Sequence, residues 1–153
     1  MKLFDNILRN EYIINNKILI KLHSKYSRLI KLSISAKKNS YSPYSKFSVG
    51  AALLTTGNKI FTGTNIENAS YSLCICAERV AFSKAISEGE RYFTAIAISS
   101  GSKSPAFPCG ACRQFMFEFA EDLDIIIVKS EKKFEITKLS DLLPFGFNNK
   151  YLK

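Results

Sequence analysis

The order of elements along the chain predicts an α/β fold, a five-stranded mixed sheet covered by helices on both faces. Three observations lead there. Beyond residue 47, short apolar runs alternate with stretches of helical periodicity, the pattern of helices laid over a sheet. Gly57-Asn58 separates the first two runs as a hairpin turn does. Only Lys129 to Lys133 lies between the last two runs. A parallel neighbour would need a crossover of about a dozen residues, so the closing strand is antiparallel to its predecessor.

Taken in order, residues 1–16 read as an N-terminal extension of unknown role, and 17–153 as the domain. From Asn16, the residues Ile18, Leu22, Tyr26, Leu29 and Ile30 fall at helical spacing. The turn residues Asn39 to Pro43 stop this helix. Val49 to Thr55 and Lys59 to Ile66 form the hairpin strands. Cys76 to Glu88 reads as a helix with Gly89 just past its end. Thr94 to Ser99 is a strand, and Cys109 to Ala120 is a helix with Ala111, Phe115 and Phe119 spaced by four. Asp124 to Val128 and Phe134 to Thr137 close the sheet.

Composition narrows the function classes. The chain has 153 residues and 46% apolar content, enough for one domain core and too much for a wholly disordered chain. No apolar run approaches the roughly 18–20 residues that cross a bilayer, so no membrane role is expected. Met1 to Ile20 mixes charged residues and asparagines among its apolar ones, unlike a secretory signal. A cytoplasmic protein is the expectation. The net charge of +9 suggests nucleic acid until it is located. Residues 1–46 hold ten Lys/Arg against two Asp/Glu, and the remainder is close to neutral. The excess therefore reads as a solvated basic helix face, and no nucleic-acid partner is expected.

The four cysteines carry the chemistry. Cys109 and Cys112 lie one turn apart at a helix start, and Cys76 begins the other helix. A helix N-terminus favours the thiolate and prepares such residues as ligands. A lone C-x-x-C also suits a redox pair or half of a structural zinc site. Cys74 could complete a four-cysteine site, although ligands at i and i+2 fit a strand–helix junction poorly, and it reads as a packed cysteine. His23 has no ligand motif around it. Three protein ligands plus water describe a catalytic zinc site. Glu78 favours that reading. Two residues beyond Cys76, it can stand beside the metal without binding it and shuttle a proton. Zinc deaminases combine such a glutamate with a P-C-x-x-C pair.

Three segments then match a known family. Thr64-Asn65-Ile66-Glu67-Asn68-Ala69-Ser70-Tyr71, Cys76-Ala77-Glu78-Arg79 and Pro108-Cys109-Gly110-Ala111-Cys112-Arg113-Gln114 closely resemble small, homotetrameric cytidine deaminases. Tyr41 to Leu53 and the closing Leu142-Leu143-Pro144 fit the same pattern. The resemblance implies hydrolysis of cytidine and deoxycytidine to uridine and deoxyuridine, with release of ammonia. It implies one Zn²⁺ per chain on Cys76, Cys109 and Cys112, with Glu78 as the catalytic proton carrier. Arg79 would offset the negative charge that three thiolates leave on the metal. Asn65 and Glu67 would bind the ribose, Phe47 would lie beside the base, and the Ala77 backbone would touch the base. Tyr71 and Phe147 would approach the pocket across subunit interfaces of a homotetramer with shared active sites. Phe145 competes with Phe147 for that role.

Two alternatives remain at this level. A blasticidin-type deaminase shares the cysteines and the glutamate but usually lacks the Asn65–Glu67 and Arg79 pattern. A non-catalytic zinc-stabilised module binding nucleic acid leaves Glu78 and the Asn65–Glu67 pair without a purpose.

Overall fold

A computed structural model describes residues 16–102 and 104–152, with side chains from residue 25 onward. The N-terminal extension through residue 15, and the side chains of Ile18, Leu22 and His23, lie outside the described residues. Helix α1 (Asn16–Ala36) precedes the hairpin β1 (Val49–Thr55) and β2 (Ile60–Thr64). Then come α2 (Ala77–Ser87), β3 (Phe93–Ser100), α3 (Gly110–Phe117), β4 (Asp124–Ser130), β5 (Lys133–Lys138) and the short α4 (Leu139–Leu142).

The five strands form one sheet in the order β2-β1-β3-β4-β5. β1 is antiparallel to β2 and β3, β3 is parallel to β4, and β5 is antiparallel to β4. The closing hairpin therefore pairs as its short loop requires. Because a strand alternates its side chains, the apolar runs supply two cores at once. Ala52, Ala95, Ala97, Ile126 and Val128 pack on one face against Tyr26, Leu29 and Ile30 of α1. Ala51, Leu53, Ile96, Ile98, Ile125 and Ile127 pack on the other against α2 and α3. Each large aliphatic side chain buried this way contributes about 1.5–3 kcal/mol.

Two glycines set how closely helices approach the sheet. A Cβ on Gly50 would lie 2.2 Å from the Ser33 carbonyl oxygen of α1. A Cβ on Gly63 would lie 2.3 Å from the Ala77 carbonyl oxygen, at the first turn of α2. Gly63 thus determines where the N-terminus of α2 comes to rest.

The helix boundaries differ modestly from the sequence expectation. Cys76 and Cys109 are N-caps, outside their helices by one residue. α3 ends at Phe117 because the amides of Phe119 and Ala120 both bond the Met116 carbonyl, which tightens the last turn. α4 stops before Leu143, whose successor Pro144 disfavours a helical residue in front of it.

Candidate active site

Strand directions decide where chemistry can assemble. β2, β3 and β4 end at one edge of the sheet, where β1 begins. The chain leaving β2 enters α2, and the chain leaving β3 enters α3, so two helix N-termini meet at that edge. A crevice outside the carboxyl ends of strands is the usual ligand position in α/β sheets. Here a cleft of about 680 Å3 lies at that edge, and Phe47, Asn65, Glu67, Cys76 and Glu78 are among its walls.

Cys76 caps α2, Cys109 caps α3, and Cys112 occupies the first turn of α3. Their sulfurs lie within 4.8 Å of one another, and among the described residues they are the one cluster spaced to hold a metal. Tetrahedral zinc with thiolates at about 2.3 Å spaces its sulfurs by roughly 3.8 Å. Three soft donors from two rigid helix ends need only a slight contraction to reach that geometry. Cys76 already has thiolate character. A hydrogen bond from the Cys112 thiol, with Arg79 and Cys109 beside it, lowers its pKa to about 5. Cys112, the donor in that bond and itself buried, is pushed upward. Metal binding would take the remaining thiol protons.

Glu78, on the first turn of α2, is only 4% exposed. Burial pushes its carboxyl above the ordinary value, and the charge on Cys76 adds to this, while Cys112 and Arg79 pull partly back. A carboxylate held where protonation is easier suits a group that must accept and return a proton.

Arg79 donates from Nη2 to the Cys74 carbonyl at 3.1 Å, and its charge faces Cys76 and Cys112. Its Nε is buried with no hydrogen-bond partner among the described residues. A buried donor without an acceptor is costly, and a metal-held thiolate is the acceptor this environment offers. The donor set and the orphaned Nε both fit zinc. Cys74 stands apart from the trio, its sulfur accepting from the Asn68 amide at 3.3 Å.

Asn65 and Glu67 organise another part of the cleft wall. Glu67 Oε2 accepts the amides of Tyr44 at 2.9 Å and Ser45 at 3.3 Å, and Oε1 accepts the Ser45 hydroxyl. The Ser45 hydroxyl is the main cause that holds the Glu67 carboxyl below its ordinary range. Asn65 Oδ1 accepts the Val49 amide at 2.8 Å, and its Nδ2 donates to the Phe47 carbonyl at 2.8 Å. Both residues thus hold the segment that presents Phe47. Ala77 is fully buried at the floor, and Tyr71 stands at the rim in edge contact with Tyr44.

Phe147 is the exception. It does not line this cleft but stacks on Tyr151, with ring centroids 5.6 Å apart. Phe145 projects almost wholly into solvent with φ 59°. Sequence reasoning missed three contributors. Phe107 walls the cleft two residues before Cys109, from a loop with no periodicity to betray it. Arg113 donates to the carbonyls of Pro108 at 2.8 Å and Leu142 at 2.9 Å. Gln114 donates to the Phe147 carbonyl at 2.6 Å. Arg113 and Gln114 stood in the recognised motif, but their acceptors are distant in sequence.

Three cysteines and a buried glutamate, brought to one strand-end cleft by two helix N-termini, define a metal-assisted hydrolytic enzyme. The family model for the cytidine and deoxycytidylate deaminase zinc-binding region matches residues 23–128. A cytidine deaminase of Sporosarcina psychrophila is 44% identical over 126 residues, covering 82% of this chain and 93% of that protein. One of Halalkalibacterium halodurans is 47% identical over 120 residues, covering 78% and 91%. The crystal structure of cytidine deaminase from Burkholderia pseudomallei superposes with TM-score 0.75 at 44% identity, covering 78% of this chain and 97% of that one. The chain belongs to the cytidine and deoxycytidylate deaminase family.

Proposed function

We propose that this chain carries out zinc-dependent hydrolytic deamination of cytidine and deoxycytidine, giving uridine and deoxyuridine and releasing ammonia. One observation carries the reading: buried Glu78 stands beside the Cys76, Cys109 and Cys112 cluster in the cleft that Asn65 and Glu67 also line. The cysteines would hold one Zn²⁺ per chain. Bound there, the metal would supply the Lewis acidity that makes a water nucleophilic near neutral pH. The Glu78 carboxylate takes a proton from the attacking water and delivers it to ring N3. It then takes the proton of the new C4 hydroxyl and passes it to the amino group, which leaves as ammonia while the C4 carbonyl forms. Phe47 packs beside the base, and the Ala77 backbone touches the base edge. Asn65 and Glu67 engage the ribose.

The working unit in this reading is a homotetramer with shared active sites, located in the cytoplasm. Support comes from Tyr41, Tyr44, Tyr71 and Leu73, large apolar side chains exposed near or on the cleft rim. Free thiol ligands suit a reducing compartment. Among the described residues no helix is long and apolar enough to cross a membrane. Every proposed site residue lies within 17–153, so residues 1–16 stand outside the chemistry.

Ammonia release settles the matter. Cytidine and deoxycytidine should be turned over, and free cytosine and blasticidin should be poor substrates. A zinc-loaded protein that releases no ammonia from either nucleoside would overturn the assignment.

A further inference from the structure

We infer that Ser40 is a positioning residue that makes Asn65 a pure hydrogen-bond donor toward the substrate's sugar hydroxyl. The inference rests on the ribose role proposed for Asn65 and Glu67 and adds the group that enforces it. Asn65 Oδ1 accepts two hydrogen bonds, from the Val49 amide at 2.8 Å and from the Ser40 hydroxyl at 2.6 Å. Its Nδ2 gives one hydrogen to the Phe47 carbonyl at 2.8 Å. A backbone amide can only donate and a backbone carbonyl can only accept, so these two contacts orient the side-chain amide. With both lone pairs of Oδ1 engaged, one free N–H remains. Glu67, ionised, offers only acceptors.

The pair therefore reads a hydroxyl twice. Its proton goes to Glu67, and its oxygen receives the Asn65 N–H. Ser40 is the part of this arrangement that backbone geometry alone does not supply. Its own position is fixed from both sides. The Ser40 amide bonds the Lys37 carbonyl at 3.2 Å, closing the turn that follows α1. Tyr41, next in the chain, donates to the Asn65 carbonyl at 3.1 Å and accepts the Glu67 amide at 2.8 Å. Ser42 Oγ lies 3.1 Å from Ser40 Oγ. Because the single Ser40 hydrogen is spent on Asn65, Ser42 is the donor in that second contact. Removing the Ser40 hydroxyl opens a lone pair on Oδ1, which can then bind water or accept from a ligand, and frees the amide to shift.

The test compares cytidine with 3′-deoxycytidine, which lacks the hydroxyl, for the wild type, Ser40→Ala and Ser40→Thr. For Ser40→Ala, the expected result is a rise of about three- to tenfold in KM for cytidine with kcat nearly unchanged, the scale of one lost hydrogen bond. The KM for 3′-deoxycytidine should move far less, so selectivity for the hydroxyl falls. Ser40→Thr keeps the donor and should keep the selectivity. If Ser40→Ala weakens both substrates equally, or lowers kcat alone, Ser40 is merely structural and the inference fails while the ribose assignment stands. If the wild type itself does not prefer cytidine over 3′-deoxycytidine, the ribose assignment falls and takes this inference with it.

Discussion

Arg79 reaches back to the Cys74 carbonyl at 3.1 Å while its charge faces Cys76 and Cys112, so one guanidinium ties the entry of α2 to the cysteine cluster. Three thiolates on a divalent ion leave one net negative charge, which the Arg79 guanidinium facing Cys76 and Cys112 can offset. Arg79→Gln should therefore bind zinc and turn over more slowly. Glu78→Gln should also keep zinc yet lose about a hundred- to ten-thousandfold in kcat, because only the proton carrier is removed. Metal content and steady-state rates on both proteins check the order. An Arg79→Gln enzyme slower than Glu78→Gln would show that charge balance matters more than proton transfer.

Gly63 offers a test of how the fold aims the site. An added Cβ would meet the Ala77 carbonyl at 2.3 Å and the Ala81 amide nitrogen at 2.5 Å, both backbone atoms that cannot rotate aside. Gly63→Ala must push α2 off the sheet, at about 1–3 kcal/mol or more. Cys76 and Glu78 ride on that first turn. Loss of zinc affinity should accompany the loss of thermal stability. Gly57→Ala, whose Cβ meets nothing closer than 3.7 Å, is the control and should keep its metal.

Far from the cleft, Tyr26 donates to Asp124 Oδ2 at 2.5 Å and fastens α1 to the start of β4. Burial, then the bond to Asp124, raise the Tyr26 pKa above its ordinary 10.0. The folded chain thus holds this proton more tightly than the unfolded chain. The stabilisation is complete below about pH 10 and is lost as pH climbs toward the folded value. Tyr26→Phe should cost about 1.5–3 kcal/mol at pH 7, the scale of a hydrogen bond to a charged group. The gap between the two melting temperatures should narrow above pH 10. A gap that stays constant with pH would show that the phenol proton is not what couples α1 to β4.

The sheet was legible because its signals are local and redundant. Short continuous apolar runs named β1, β3 and β4, and a five-residue loop settled the direction of β5. The clustering of Cys76, Cys109 and Cys112 around Glu78 was legible because their short spacings place them at helix starts. What escaped was the set of long-range polar contacts. Nothing in Ser40 or Arg113 as residue types announces an acceptor 25 or 29 residues away. Phe107 escaped for a related reason, since a loop has no period that says which way its side chains face. The roles of Asn65 and Glu67 were also understated. Each holds the Tyr44–Val49 segment in place as well as facing the cleft.

The placement of Phe147 leads to a test of the shared pocket. Gln114 holds its carbonyl, Tyr151 stacks on its ring, and it is absent from the cleft of its own chain. If it completes a cleft, that cleft belongs to another copy. Phe147→Ala and Glu78→Ala proteins, each weak alone, should then partly restore activity when refolded together. A working site takes Glu78 from one chain and Phe147 from its neighbour. Random mixing of equal amounts supplies that combination at roughly a quarter of sites when one neighbour lends the aromatic. Phe145→Ala, mixed with Glu78→Ala in the same way, separates the two candidate aromatics. Phe145 is more exposed but lacks the contacts that hold Phe147 in a defined direction, so its loss should need no rescue. Recovery no greater than the sum of the separate mutants would place Phe147 outside every cleft in the assembly.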